Sequence, residues 1–277
     1  MKIYKTSKGA IVSYQGKNYI KNVENWDTFL NRENLFQALQ NDIKGLDVSE
    51  DQISSDNLEV PMGSQEIWAS GVTYMRSKEA RMEESKKAGG GTFYDRVYDA
   101  ERPELFFKAT PHRTVGPGGT VRIRKDSGWD VPEPELVLFI SSEGTIEGYS
   151  IGNDMSSRSI EGENPLYLPQ AKTYTGCAGL GPCIYVPAKP ISPDTAIKLE
   201  ILRSGKQVFQ DKIAISQMKR KHAELVEYLF RECDFPNGCF LMTGTGIIPP
   251  DDFTLKVGDE VRISIEHIGT LVNFVGQ

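Results

Sequence analysis

Apolar and polar positions alternate over short stretches along most of the chain, with glycine and proline between them. Residues 197–202, 239–243, 261–265 and 271–275 are strand-length stretches rich in Ile, Val, Leu and Phe, the pattern of a β-rich body. Near the N-terminus, residues 10–14 and 18–20 flank Gln15-Gly16-Lys17, which predicts a hairpin. Helical spacing is rarer. Residues 26–39 carry Phe29, Leu30, Leu35, Phe36 and Leu39 at helical intervals, and residues 219–233 place Leu225, Val226, Leu229 and Phe230 on one face. His222 shares that face, so it reads as a packed histidine rather than a ligand. Residues 77–88 form a highly charged helical candidate ending at Gly89-Gly90-Gly91. It reads as solvated, either a lid on a glycine hinge or an ordinary surface helix. Residues 48–61 are polar and end in proline, a linker pattern. The expectation is a mostly β fold with α+β elements: a mixed β-sandwich roll over residues 63–277, preceded by a small N-terminal domain of residues 1–62.

Composition narrows the classes. A length of 277 residues suits one large domain or two smaller ones, and 39% hydrophobic residues supply a core. A net charge of -6 disfavours a nucleic-acid binder. No apolar run approaches the length of a bilayer span. Met1-Lys2-Ile3-Tyr4-Lys5 lacks the apolar stretch of a secretory signal, so no membrane partner and a cytoplasmic location are expected. Cys177, Cys183, Cys233 and Cys239 show no C-x-x-C spacing and read as reduced, mostly buried thiols. His112, His222 and His267 are scattered, which leaves little material for a zinc site or a Ser/His/Asp triad.

The chemistry concentrates in Trp129-Asp130-Val131-Pro132-Glu133-Pro134-Glu135 and the apolar residues 136–140. Glu133 and Glu135 are two apart, so on an extended chain they share a face. Ser141-Ser142-Glu143-Gly144-Thr145 is a turn signal. A two-residue hairpin centred on Glu143-Gly144 would set Glu135 opposite Gly152 and Glu133 opposite Asp154, bringing the three carboxylates together. Any other turn length would shift the register and break this convergence. Like charges about 4 Å apart repel by roughly 4 kcal/mol at an effective dielectric of 20, so the group needs protons, a cation or water. All-oxygen ligation favours Mg2+, with Ca2+ or Mn2+ as alternatives. The plain alternative is a solvated acidic strand edge.

Taken in order, the Glu133-x-Glu135 pair, Gly152-Asn153-Asp154, Lys172 in Ala171-Lys172-Thr173, Gly181-Pro182 and Thr243-Gly244-Thr245-Gly246 resemble the fumarylacetoacetate hydrolase family from Trp68 onward. The resemblance implies that family's β-roll, a divalent metal on Glu133, Glu135 and Asp154, a small-molecule 2-oxo acid substrate, and a homodimer or dimer of dimers. Hydrolases of the family carry Tyr-x-x-His-x-x-Glu, whose His and Glu activate water. Here Tyr74 is followed by Ser77 and Ala80 at those positions, so the usual water activator is missing.

The stretch from Ala69 to Ser85 instead resembles the branch that dehydrates 2-keto-3-deoxy-D-arabinonate. That branch implies Glu104 and Lys172 as catalytic groups, and Arg76, Ser77 and Thr245 as substrate contacts. Glu104 abuts an apolar run, where burial would raise its pKa. A buried lysine suits proton transfer. Read alone, Glu104 would be a strand-end carboxylate, Lys172, Arg76 and Ser77 surface residues, and the Thr-Gly-Thr-Gly stretch a turn. That stretch could also aim N–H groups at a substrate carboxylate. The expected reaction is metal-dependent dehydration of a 2-keto-3-deoxy pentonate to a 2-oxo acid semialdehyde. The rivals are an acylpyruvate-type C–C hydrolase, a decarboxylase or isomerase, and a non-catalytic metal-stabilised binding module.

Overall fold

The computed structural model describes residues 1–50, 53–84 and 91–277. The chain begins with β1 (Lys2–Thr6), β2 (Gly9–Tyr14) and β3 (Lys17–Lys21), paired antiparallel. The hairpin expected between β2 and β3 is present, with Gln15 (φ 51°) and Gly16 (φ 74°) making a two-residue left-handed turn. The helix expected over residues 26–39 is two helices, α1 (Trp26–Leu30) and α2 (Leu35–Ile43). The break falls where Asn34 takes a left-handed φ of 51°, a conformation asparagine tolerates and a continuous helix cannot contain. β4 (Val48–Ser49) then pairs with β3.

The main body runs through β5 (Glu66–Gly71), α3 (Met75–Glu84), α4 (Gly91–Asp99), β6 (Glu104–Ala109), β7 (Thr114–Val115) and β8 (Thr120–Arg122). The long strands β9 (Asp130–Ile140) and β10 (Ile146–Ser157) follow, then α5 (Arg158–Glu163), α6 (Leu168–Lys172) and β11 (Ala178–Tyr185). The chain closes with β12 (Ala196–Arg203), β13 (Lys206–Ala214), α7 (His222–Phe230), β14 (Cys239–Met242), β15 (Glu260–Ile265) and β16 (Gly269–Gly276). The four apolar stretches singled out in the sequence are thus β12, β14, β15 and β16. Residues 85–88 of the charged helical candidate and Gly89 and Gly90 of its glycine exit lie outside the described residues.

Two sheets organise these elements. The larger runs β4-β3-β2-β1-β11-β10-β9-β14-β5-β6, with β7 alongside β11; the smaller runs β13-β12-β15-β16-β8. The protein is therefore mostly β with helices on the sheets. Residues 1–62, expected as a separate unit, contribute β1 to β4, and β1 pairs directly with β11. Glu59, in the expected linker, bridges to Lys5 of β1. The boundary near residue 62 therefore separates strands of one continuous sheet.

β9 explains its own apolar run. Leu136, Leu138 and Ile140 face the core shared with Leu199, Ile263 and Leu271 of the smaller sheet. Val137 and Phe139 face a second core with Leu30, Leu35 and Leu39 of the N-terminal helices. A strand covered on both faces needs apolar residues at successive positions rather than in alternation.

All four cysteines are unpaired thiols, and Cys177, Cys183 and Cys239 are buried. His222 packs as expected: its Nε2 is shielded and has no hydrogen-bond partner among the described residues. Burial lowers its pKa from 6.5 to about 4. Above pH 6.5 the imidazole is neutral in both states. Between 6.5 and 4 the unfolded chain takes up a proton that the native protein refuses, so stability falls as pH falls. Urea unfolding should therefore show His222→Gln losing less stability than the wild type between pH 7 and pH 4.5, by on the order of 2 kcal/mol. An unchanged pH dependence would show that His222 carries none of the acid sensitivity.

Candidate active site

β9 and β10 bring the acidic residues together. Asp154 pairs directly with Glu133 and Gly152 with Glu135, the register expected from sequence. The expected hairpin turn is wrong, however. Ser141 N–H donates to Thr145 O and Gly144 N–H to Ser141 O, with Gly144 at φ 74°. This is a three-residue loop closed by a left-handed glycine, and it displaces the register by one. A bulge at Glu147, between Ile146 and Gly148, restores it. Two departures cancel, and the carboxylates converge. The bulged Glu147 also accepts from Leu35 N–H at 2.8 Å, capping α2.

One oxygen from each of Glu133, Glu135 and Asp154 lies within 4.8 Å of the others, and all three residues are buried. Four elements deliver cations to this cluster. Lys172, the last residue of α6, is fully buried; its Nζ lies 2.5 Å from Glu133 Oε2 and 2.5 Å from Ser156 Oγ, with Asp154 Oδ2 at 3.4 Å and Glu161 Oε1 at 3.3 Å. Arg158, opening α5, donates from Nη2 to Glu133 Oε1 at 2.8 Å. Arg81 of α3 pairs with Glu161 Oε2 at 2.5 Å and lies 4.0 Å from Glu133 Oε1. Lys108 of β6 is fully buried against Asp154 Oδ1 at 2.5 Å. With Glu104, five carboxylates face four cations.

The electrostatics separate the carboxylates. Burial alone would raise the pKa of Glu133, but Lys172 first, then Arg158 and Arg81, hold it well below the usual carboxylate range. Glu135 goes the other way: burial, then Asp154 and Glu133, push it well above its ordinary value, against Lys172 and the Gly244 N–H that donates to its Oε2 at 2.6 Å. Burial would lower the pKa of Lys172, yet Asp154, Glu133 and Glu161 together raise it and keep the ammonium charged. Burial raises the pKa of Glu104, opposed by Arg81 and Lys172.

Glu104 pairs with Gly71 across β5 and β6. A Cβ at position 71 would sit 2.0 Å from Glu104 Oε2, so the missing side chain is what admits the carboxyl group. Its Oε2 is shielded and has no hydrogen-bond partner among the described residues.

A narrow pocket opens over the cluster between the 70–72 segment, Ser77 and Arg81 of α3, Phe106 and the loop at Gly244 and Thr245. Ser77 is buried in its wall, its hydroxyl donating to Tyr74 O at 2.7 Å. Thr245 also lines it, with Oγ1 accepting from Ile247 N–H at 3.2 Å. The Gly244 N–H, expected to aim at a substrate carboxylate, is instead spent on Glu135.

Arg76 does not join the site. It pairs with Asp211 at 2.9 Å and its side chain is 45% exposed. One residue is about 100° of helix rotation, so Arg76 points away from the face of Ser77, whereas Arg81, four residues on, shares that face. α3 is therefore not wholly solvated as its charge suggested.

Arg81, Lys108, Arg158 and Glu161 are the cluster residues that sequence reasoning did not assign. Two had a readable signal: Arg81 follows Ser77 at i+4, and Lys108 interrupts an apolar strand. A broader groove between Lys198, Gln210 and Arg262 on the outer face of the smaller sheet is open and holds none of these buried groups.

Glu133, Glu135 and Asp154 suit a divalent ion. All three offer hard oxygen ligands, and among the described residues no lysine or arginine forms an ion pair with Glu135, so a bound cation would be what stabilises its ionised form.

The chain is similar to known proteins over most of its length. The chain is 48% identical over 230 residues to a probable 2-keto-3-deoxyxylonate dehydratase of Haloferax volcanii, covering 83% of this chain and 78% of the relative. It is 44% identical over 223 residues to a 2-dehydro-3-deoxy-D-arabinonate dehydratase of Saccharolobus solfataricus, covering 80% and 75%. Its fold superposes with a TM-score of 0.84, at 35% identity and over 99% of this chain and 98% of the other, on 2-keto-3-deoxy-D-arabinonate dehydratase complexed with magnesium and 2,5-dioxopentanoate. Residues 67–276 match the fumarylacetoacetate (FAA) hydrolase C-terminal family, and the chain belongs to it.

Proposed function

We propose that this protein removes water from a 2-keto-3-deoxy pentonate, with a divalent metal such as Mg2+, and yields a 2-oxo acid semialdehyde. The observation that carries the reading is a pair of buried titratable groups beside one acidic triad: an ammonium held charged at Lys172 by its carboxylate neighbours and a carboxyl at Glu104 whose pKa is raised by burial. Two neighbouring groups with divergent environments are how one site runs acid and base steps together. The relatives named as dehydratases support the same chemistry.

Glu133, Glu135 and Asp154 would hold the metal. When bound, it would polarise the 2-oxo group and offset the charge that builds there as C3 loses a proton. Glu104, once ionised, takes the C3 proton; its raised pKa makes it a stronger base than an exposed carboxylate. Lys172 gives a proton to the C4 hydroxyl, which departs as water and leaves a C3–C4 double bond. Tautomerisation then moves the unsaturation to the terminal carbon and gives the semialdehyde. Arg158 and Arg81 hold Glu133 ionised, and Ser77 and Thr245 line the pocket for the substrate. Ala80 stands where the family's hydrolases carry a water-activating carboxylate, which weighs against C–C cleavage. The family likeness extends the reading to a cytoplasmic homodimer.

Glu135→Gln tests the metal role. The neutral form of Glu135 is already favoured without metal, so the variant should fold with a metal-free Tm within about 2 °C of the wild type. Calorimetry should show Mg2+ affinity reduced by more than about tenfold. Unchanged affinity would remove Glu135 from the ligand set.

The reaction itself is tested by mass spectrometry on 2-keto-3-deoxy pentonates and acylpyruvates. The pentonate should lose one water with no C–C cleavage. Lys172→Met and Glu104→Gln should each lower turnover by at least about a hundredfold while lowering Mg2+ affinity far less. Rapid pyruvate release from an acylpyruvate, with the pentonate untouched, would overturn the dehydratase reading.

A further inference from the structure

Lys108 is the one buried cation of the cluster that the reaction above leaves without a task. It is 0% exposed, and its Nζ has three partners: Asp154 Oδ1 at 2.5 Å, the carbonyl oxygen of Met155 at 2.9 Å, and the carbonyl oxygen of Lys172. Two of these contacts are hydrogen bonds, to the two backbone carbonyls, and the contact with Asp154 Oδ1 is an ion pair. These partners sit on different elements. Asp154 and Met155 belong to β10, whereas Lys172 ends α6, where the last-turn carbonyls lack partners within the helix. Asp154 also divides its two oxygens: Oδ1 faces Lys108, while Oδ2 faces Lys172 at 3.4 Å.

We propose that Lys108 is a positioning residue that pins the backbone of Lys172 and pairs with one oxygen of Asp154, so that the catalytic ammonium is held in register with the other. This rests on the metal-dependent dehydratase reading and adds to it a group that never touches substrate. Two consequences follow, and they have opposite signs. A fixed positive charge 2.5 Å from a ligand oxygen opposes a second cation there, so its removal strengthens metal binding. The same removal frees the carbonyl of Lys172, so proton transfer loses its geometry and turnover falls. A residue that merely supported the fold would weaken both together.

The test is Lys108→Met, close in volume and uncharged, with Lys108→Gln as a second variant that keeps two N–H donors. Calorimetric titration with Mg2+ alone, in the absence of substrate, should show affinity raised by about threefold or more in both. On the pentonate, kcat should fall by more than about thirtyfold with KM changed by less than about threefold, and Lys108→Gln should recover part of kcat. For a variant too unstable to titrate, the rise in Tm at saturating Mg2+ gives the same readout, and should exceed that of the wild type. Weaker metal binding, unchanged kcat, or failure of both variants to fold even with Mg2+ would each overturn the proposal. A wild type that binds Mg2+ but leaves the pentonate unchanged would instead defeat the dehydratase reading, while the metal titration still judges Lys108.

Discussion

Three carboxylates buried against one another on two paired strands cannot all remain charged unless cations surround them. Much of the remaining architecture answers that constraint. β6 brings Lys108, α3 brings Arg81, α5 brings Arg158 and α6 brings Lys172, and none of these elements repeats the contribution of another. Removing one partner from a buried ion pair typically costs about 3–5 kcal/mol, because the other charge is stranded away from water. The short helices α5 and α6 therefore owe their placement to their charges as much as to their apolar side chains. Even so, five carboxylates outnumber four cations, and Glu135 is left with a raised pKa. Burial favours the neutral form of Glu135 until a divalent ion offsets its charge.

The same imbalance organises the chemistry. Lys172 sits among Glu133, Asp154 and Glu161, which stabilise its charged form. Glu104 occupies the space over Gly71, its Oε2 without a hydrogen-bond partner among the described residues, and its neutral form is favoured by burial. Both groups favour their protonated form, for reasons set by surroundings rather than by residue type, so in the proposed reaction Glu104 acts as the base only after it ionises. Ser77 and Ala80, by contrast, bring neither a histidine nor a carboxylate to α3.

The acidic triad was legible because period-two spacing and hairpin pairing are properties of the backbone. The correct register nevertheless came from an incorrect turn. Ser141–Thr145 forms a longer loop than assumed, and the bulge at Glu147 compensates, held by a bond to α2 that no local sequence rule contains. The four apolar strands were legible for the same reason as the triad. Arg76 was misplaced because adjacent positions on a helix face different ways, and the sequence did not say which face of α3 was buried. The single helix drawn over residues 26–39 failed at Asn34, where one left-handed residue outweighs the apolar spacing on either side. Lys108, Arg158 and Glu161 acquire meaning only through tertiary contacts: each pairs with a residue at least three positions away, and most of those pairs cross elements.

The central claim is that Glu133, Glu135 and Asp154 converge to hold a divalent ion that completes the charge balance. An anomalous difference map from a crystal grown with Mn2+ tests it most directly. The account predicts one strong peak with an oxygen of each of the three carboxylates about 2 Å away. A peak that engages other residues, or no peak at saturating Mn2+ with the three carboxylates undisturbed, would contradict it.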